Sequence, residues 1–183
     1  MSTPAEIEPD TKDWTWVLER PCADCGLDAG AVDRTSLGEL VRDNAVGWQA
    51  VLASPRAAER PAPATWSPTE YAAHVRDVHR MFLGRVDLML TEDDPVFANW
   101  DQDETALAER YDLQLPADVA SGLAIAAGEV AAAYDAVAGR DWERAGTRSN
   151  GSEFTVESLG RYHLHDVVHH LWDVRWVLAE GAG

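Results

Sequence analysis

The chain has 183 residues, 46% of them hydrophobic and 26% charged, which suffices for one domain with a full core and is short for two. Its formal net charge of −17, with Lys12 as the single lysine, argues for no nucleic acid and no membrane as partners, because phosphates and anionic lipid headgroups call for a basic surface. No apolar run approaches the roughly 20 residues of a membrane span, and MSTPAEIEPDTK lacks a signal-peptide pattern. The expectation is a cytoplasmic protein acting on a small-molecule substrate, its oligomeric state left open with a homodimer among the allowed assemblies.

In chain order, residues 1–13 are polar and read as a lead-in, and residues 1–34 as an N-terminal extension that carries a CxxC turn. DWTWVLERPCADCGLDAG, with Trp14, Trp16 and Leu18 alternating, reads as an extended strip over a helical body. A first helix is expected from Thr35 to Leu52, followed by the proline-broken loop SPRAAERPAPAT. Ser67-Pro68-Thr69-Glu70 gives the second helix a cap serine, a first-turn proline and a glutamate three residues on, a capping box. That helix runs to about Leu90 and carries His74 and His79. Residues 93–116 form a long connection with a short helix through Tyr111. An alanine-rich third helix spans Ala117–Ala138 and suits close packing. A Gly- and Arg-rich loop precedes the fourth helix, Val156–Glu180, capped by Thr155. The fold class that follows is all-α, a four-helix bundle with a long crossover connection in residues 35–183.

All six histidines lie on the second and fourth helices. In RYHLHDVVHHLWDVRW, His165 and His169 are four apart and stack on one helix face, the spacing that lets two imidazoles share an ion. Trp172 and Trp176 extend that stripe, which on this reading points inward, while His163 and His170 fall toward the seam of Asp166 and Asp173. On the second helix His74 shares a face with Tyr71, Val78, Met81 and Phe82, and His79 is turned about 140° away. Joining His74 to His165 and His169 gives a three-histidine site suited to zinc, with nickel or iron as other choices. Glu70, Asp77 and Asp166 are candidate outer partners for the rings. No group is nominated as general base, and hydrogen-bonded core histidines are the ordinary alternative to a metal.

Cys22 and Cys25 form the sole cysteine pair, in a turn bracketed by Pro21 and Gly26. A structural zinc normally takes four ligands, and neither a second CxxC nor a neighbouring histidine pair completes this one. A dithiol role, a turn without chemistry, and a metal shared with His79 or a partner elsewhere in the chain are the other readings, the last ranking behind the first two. Arg144, Arg148 and the segment Ser149–Ser152 precede the fourth helix, where its N-terminal dipole favours an anion. Asp93, Asp94, Asp101, Asp103 and Glu104 read as a solvated acidic surface.

WSPTEYAAHVRDVHRMF followed far downstream by RYHLHDVVHHLWDV resembles the DinB/YfiT-like superfamily of metalloenzymes, which includes mycothiol-dependent maleylpyruvate isomerases. The resemblance spans about residues 36–178. It implies a four-helix bundle whose divalent metal is held by a histidine of the second helix and an H-x-x-x-H pair of the last, carried over here to His74, His165 and His169. In the isomerase branch one ligand of the last helix is a glutamate, where this mapping has His165. The implied function is a metal-dependent, thiol-dependent S-transferase or isomerase using a low-molecular-weight thiol such as mycothiol, the ion lowering the pKa of a bound water or thiol. The alternative is a non-catalytic metal- or small-molecule-binding bundle. An open pocket lined by tryptophans such as Trp48 and Trp172 would favour the enzyme.

Overall fold

The computed structural model describes residue 7 and residues 13–180, with side chains up to Arg175. The lead-in before Asp13, apart from Ile7, and the side chain of Trp176 therefore lie outside the described residues. Four long helices dominate: α1 (Leu37–Leu52), α2 (Pro68–Thr91), α4 (Pro116–Ala136) and α5 (Val156–Glu180), with the short α3 (Gln102–Ala108) in the connection between α2 and α4. The local signals explain the ends. Ser67 Oγ accepts from the Glu70 amide while the Glu70 carboxylate accepts from the Ser67 amide, closing the capping box, and Pro68 occupies the first turn. Thr155 and Ser158 cap α5 reciprocally, through Ser158 N–H to Thr155 Oγ1 and Thr155 N–H to Ser158 Oγ.

The principal helix pairings are α2 with α4, α1 with α4, α2 with α5, and α1 with α5. The helices thus follow the order α1–α4–α2–α5 around the bundle, so that the consecutive helices α1 and α2 stand on a diagonal, as do α4 and α5. Small residues permit the close pairings: Ala126, Ala127 and Ala131 of α4 are buried, as are Ala72 and Ala73 of α2. At Gly38 of α1 a Cβ would stand 2.8 Å from the Ala131 carbonyl oxygen. Trp48, Val41, Phe82, Leu123, Tyr134 and Leu159 fill the core. Among the described residues no helix is long and apolar enough to cross a membrane.

Two features depart from the sequence reading. A small sheet joins the loops at one end of the bundle: β1 (Val96–Phe97) pairs in parallel with β2 (Ala145–Arg148), which pairs antiparallel with β3 (Glu153–Thr155). Strands of two to four residues are too short to show a period-two pattern, and so they read as loop. The segment from Trp14 to Ser36 is not an extended strip. It folds into three short 3-10 turns, buries Val17 and Ala29 completely, and packs along α5.

Candidate metal centre

The six histidines sort into three pairs, and the pairing differs from the one expected. His74 does not meet His165 and His169. Its Nε2 lies 3.1 Å from Nε2 of His170, and Asp166 Oδ1 lies 3.2 Å from that same His170 nitrogen. His74, Asp166 and His170 can each offer one donor atom within 4.8 Å of the others. His165 and His169 instead stand with Cys22 and Cys25, whose donor atoms also lie within 4.8 Å of theirs. His79, expected to turn away, is fully buried against His163 at 3.0 Å, and Tyr134 Oη completes that chain at 2.9 Å from the other His163 nitrogen.

The physical cause is the rotational phase of α5. Its bundle-facing stripe is Leu164, Val167, Leu171 and Val174 rather than the line toward Trp172. His163 and His170 border that stripe, whereas His165 and His169 lie about 100° further round, on the side covered by the N-terminal turns. Two overlapping i,i+4 repeats, His165/His169 and Asp166/His170, differ by one residue, and spacing alone does not choose between them.

α2 delivers His74 through its anchored N-terminus, two turns after the capping box. Trp100 stacks on the His74 ring at 5.3 Å between centroids, and Trp66 approaches at 5.4 Å. His74 Nδ1 is buried with no hydrogen-bond partner among the described residues, so the ring is oriented by packing with Nε2 aimed at His170. Burial, with the neighbouring His170 charge, pushes the His74 pKa down to about 3, which leaves the ring neutral, the form that ligates. For His170 burial would act in the same direction, but hydrogen bonds to Asp166 and Asp173 outweigh it and push the ring up to about 9. Burial would raise Asp166, yet the His170 hydrogen bond and nearby imidazoles hold it well below the usual carboxylate range. The site therefore combines a neutral imidazole with a carboxylate-flanked one that holds a proton where a cation fits.

Asp166 and His170 border a cavity of about 820 Å³, with His74 buried behind them; its wall also includes Trp14, Trp66, Tyr71, Trp100, Tyr162, His165 and His169. Trp48 is a core residue instead, and Trp172 borders a separate, smaller pocket. Two guanidinium groups face the same cavity. Arg85, 7% exposed, donates to the Ala98 carbonyl, and Arg148 is held by Asn150 and Ser152. Burial, reinforced by the Arg148 charge, draws the Arg85 pKa down to about 10. Arg144, by contrast, donates to the Met89 and Glu92 carbonyls and ties the loop to α2. Of the candidate outer partners, Glu70 is engaged by Arg60 and the cap, and Asp77 by Arg76, Arg80 and Tyr111. Asp101 caps α3, accepting from the Asp103 and Glu104 amides.

The sequence profile of the DinB superfamily matches residues 37–174. Among solved structures, YfiT from Bacillus subtilis superposes with a TM-score of 0.72 at 14% identity, over 97% of this chain and 94% of that one. YfiT is described as a probable metal-dependent hydrolase with an unusual four-helix bundle topology. No curated protein matches.

Proposed function

The chain belongs to the DinB superfamily, and from that premise we propose that it is a metal-dependent enzyme whose divalent ion, zinc by preference, is held by His74, Asp166 and His170. The observation that carries this reading is the convergence of two imidazole Nε2 atoms at 3.1 Å with a carboxylate oxygen 3.2 Å from one of them, on the wall of a large cavity. Two histidines and one carboxylate are a common catalytic donor set, and three protein ligands leave a coordination position for a reactant. Bound there, the ion supplies Lewis acidity, lowering the pKa of a coordinated water or thiol near neutral pH.

The residues around it have separable tasks. Asp173, with an oxygen 3.5 Å from His170 Nδ1, fixes that ring's orientation. Trp66 and Trp100 clamp His74 and shield the site from bulk water. Arg85 and Arg148, the two guanidinium groups among lining residues that also include Asp13, Asp101, Asp103, Asp166 and Asp173, are the groups suited to pair directly with an anionic substrate group. The described probable activity of YfiT supports a hydrolase. With Asp166 as a ligand in place of His165, the last helix supplies a carboxylate, as the resemblance describes for the mycothiol-dependent isomerases, and this supports a thiol-dependent isomerase or S-transferase acting on an anionic electrophile.

The test is metal content together with turnover of a carboxylate-bearing electrophile, with and without a low-molecular-weight thiol. His74→Ala and His170→Ala should each remove one equivalent of metal and abolish turnover. Full metal content and activity in His74→Ala would end the reading. Turnover that ignores the thiol would favour hydrolysis.

A further inference from the structure

We propose that Cys22, Cys25, His165 and His169 form a Cys2His2 site for a structural zinc ion that fastens the N-terminal segment to α5. The inference stands independently of the His74 triad, whose donor atoms are a separate set.

Four residues of the two side-chain types that zinc favours in closed sites come together from opposite ends of the chain, with donor atoms all within 4.8 Å of one another. Zinc–sulfur bonds of 2.3 Å and zinc–nitrogen bonds of 2.0–2.1 Å imply a tetrahedron with edges of roughly 3.3–3.8 Å. The Cys22 Sγ to His169 Nδ1 separation of 3.6 Å already has that length. His165 and His169 present their rings one helical turn apart, with centroids 5.3 Å apart. Cys22 and Cys25 sit on a tight knuckle closed by Cys22 N–H to the Leu27 carbonyl and Gly26 N–H to the Cys22 carbonyl. Gly26 has φ +77°, the left-handed conformation that lets the chain turn back directly after the second cysteine.

The surroundings are those of a ligand site. Cys22 and His165 are 2% and 3% exposed, and His165 Nε2 is buried without a hydrogen-bond partner among the described residues. An unpartnered imidazole nitrogen beside two thiols is costly unless something accepts its lone pair or its proton. The outward nitrogen of His169, Nε2, lies 3.7 Å from Asp173 Oδ1, which places a carboxylate beside the ring on the side away from the thiols. Trp14 and Trp16 pack against the His165 ring on the N-terminal side, and Trp14, His165 and His169 also border the large cavity. Thiolate and imidazole donors select zinc over magnesium or calcium, and a full set of four protein ligands marks a structural ion, not a catalytic one.

The test uses the full chain purified after growth with added zinc, then loaded with cobalt(II) as a spectroscopic substitute. His74→Ala, which disables only the triad, should retain one equivalent of metal and a near-ultraviolet thiolate-to-cobalt charge-transfer band. Cys22→Ser/Cys25→Ser should lose that band and one equivalent of zinc while keeping the metal of the triad. X-ray absorption at the zinc edge of His74→Ala should show two sulfur and two nitrogen neighbours, a readout that needs no cysteine variant to fold. In the unaltered protein both thiols should resist a disulfide reagent until a chelator is added. Thiols equally reactive with and without chelator, or a Cys22–Cys25 disulfide in zinc-replete protein, would overturn the site. Loss of metal in the cysteine variant with none lost in His74→Ala would leave this site standing and remove the triad reading.

Discussion

At the scale of single residues, what matters is which groups each imidazole faces. The His79–His163–Tyr134 chain is wholly buried, and burial pulls the His79 pKa down to about 4. Above pH ~6.5 that ring is neutral in both folded and unfolded chains. Below it the unfolded chain takes up a proton that the folded one refuses until about pH 4, so stability falls on acidification. The slope is roughly 1.4 kcal/mol per pH unit from this group. His79→Leu strands the facing His163 nitrogen and should cost about 1–3 kcal/mol at pH 7. In urea titrations the deficit relative to the unaltered protein should narrow between pH 6.5 and 4; a constant deficit would show that His79 is not the titrating group. The sequence made the histidines conspicuous but not their partners. Its warning that no histidine pair neighbours the CxxC held along the chain and failed in space, because 140 residues of intervening chain return His165 and His169 to that turn.

At the scale of elements, helix existence and ends were legible and rotational phase was not. The capping box at Ser67, the Thr155 cap and the broken loop after α1 are local chemistry, and α1, α2, α4 and α5 begin and end within about two residues of where those signals put them. Which side of α5 faces the bundle depends on the N-terminal turns that cover the opposite side, and that is a tertiary fact. The same tightness that sets the phase gives a sharp expectation at Gly38. Alanine there gains about 1 kcal/mol in helix propensity. Its methyl, however, would press on the Ala131 carbonyl at 2.8 Å, and forced repacking costs about 1–3 kcal/mol. Gly38→Ala should therefore lower the melting temperature, while Gly128→Ala, with nothing near its added Cβ, should raise it. The reverse order would mean that α1 and α4 are further apart than the structure has them.

Over the whole molecule, the diagonal placement of α1 against α2 brings α2 and α5 side by side, and the facing His74 and His170 follow from that adjacency. The bundle class was legible from four amphipathic segments, whereas the three short strands and the inward packing of residues 14–36 were not, since neither carries a periodic signal. The cavity sets two guanidinium groups among five lining aspartates, so an anionic reactant is attracted only by close pairing with Arg85 and Arg148, and raising ionic strength should change turnover little if they receive it there. Asp173 adds a consequence of another kind. One of its oxygens lies 3.7 Å from His169 and the other 3.5 Å from His170, so a single carboxylate stands beside a ring in each of the two clusters. If both proposed sites take an ion, a shared carboxylate couples their loading, and linkage requires the benefit to be mutual and equal. Titrating metal into the His170 cluster should accordingly give a tighter dissociation constant when the cysteine cluster is filled than when it is stripped, and Asp173→Ala should erase the difference.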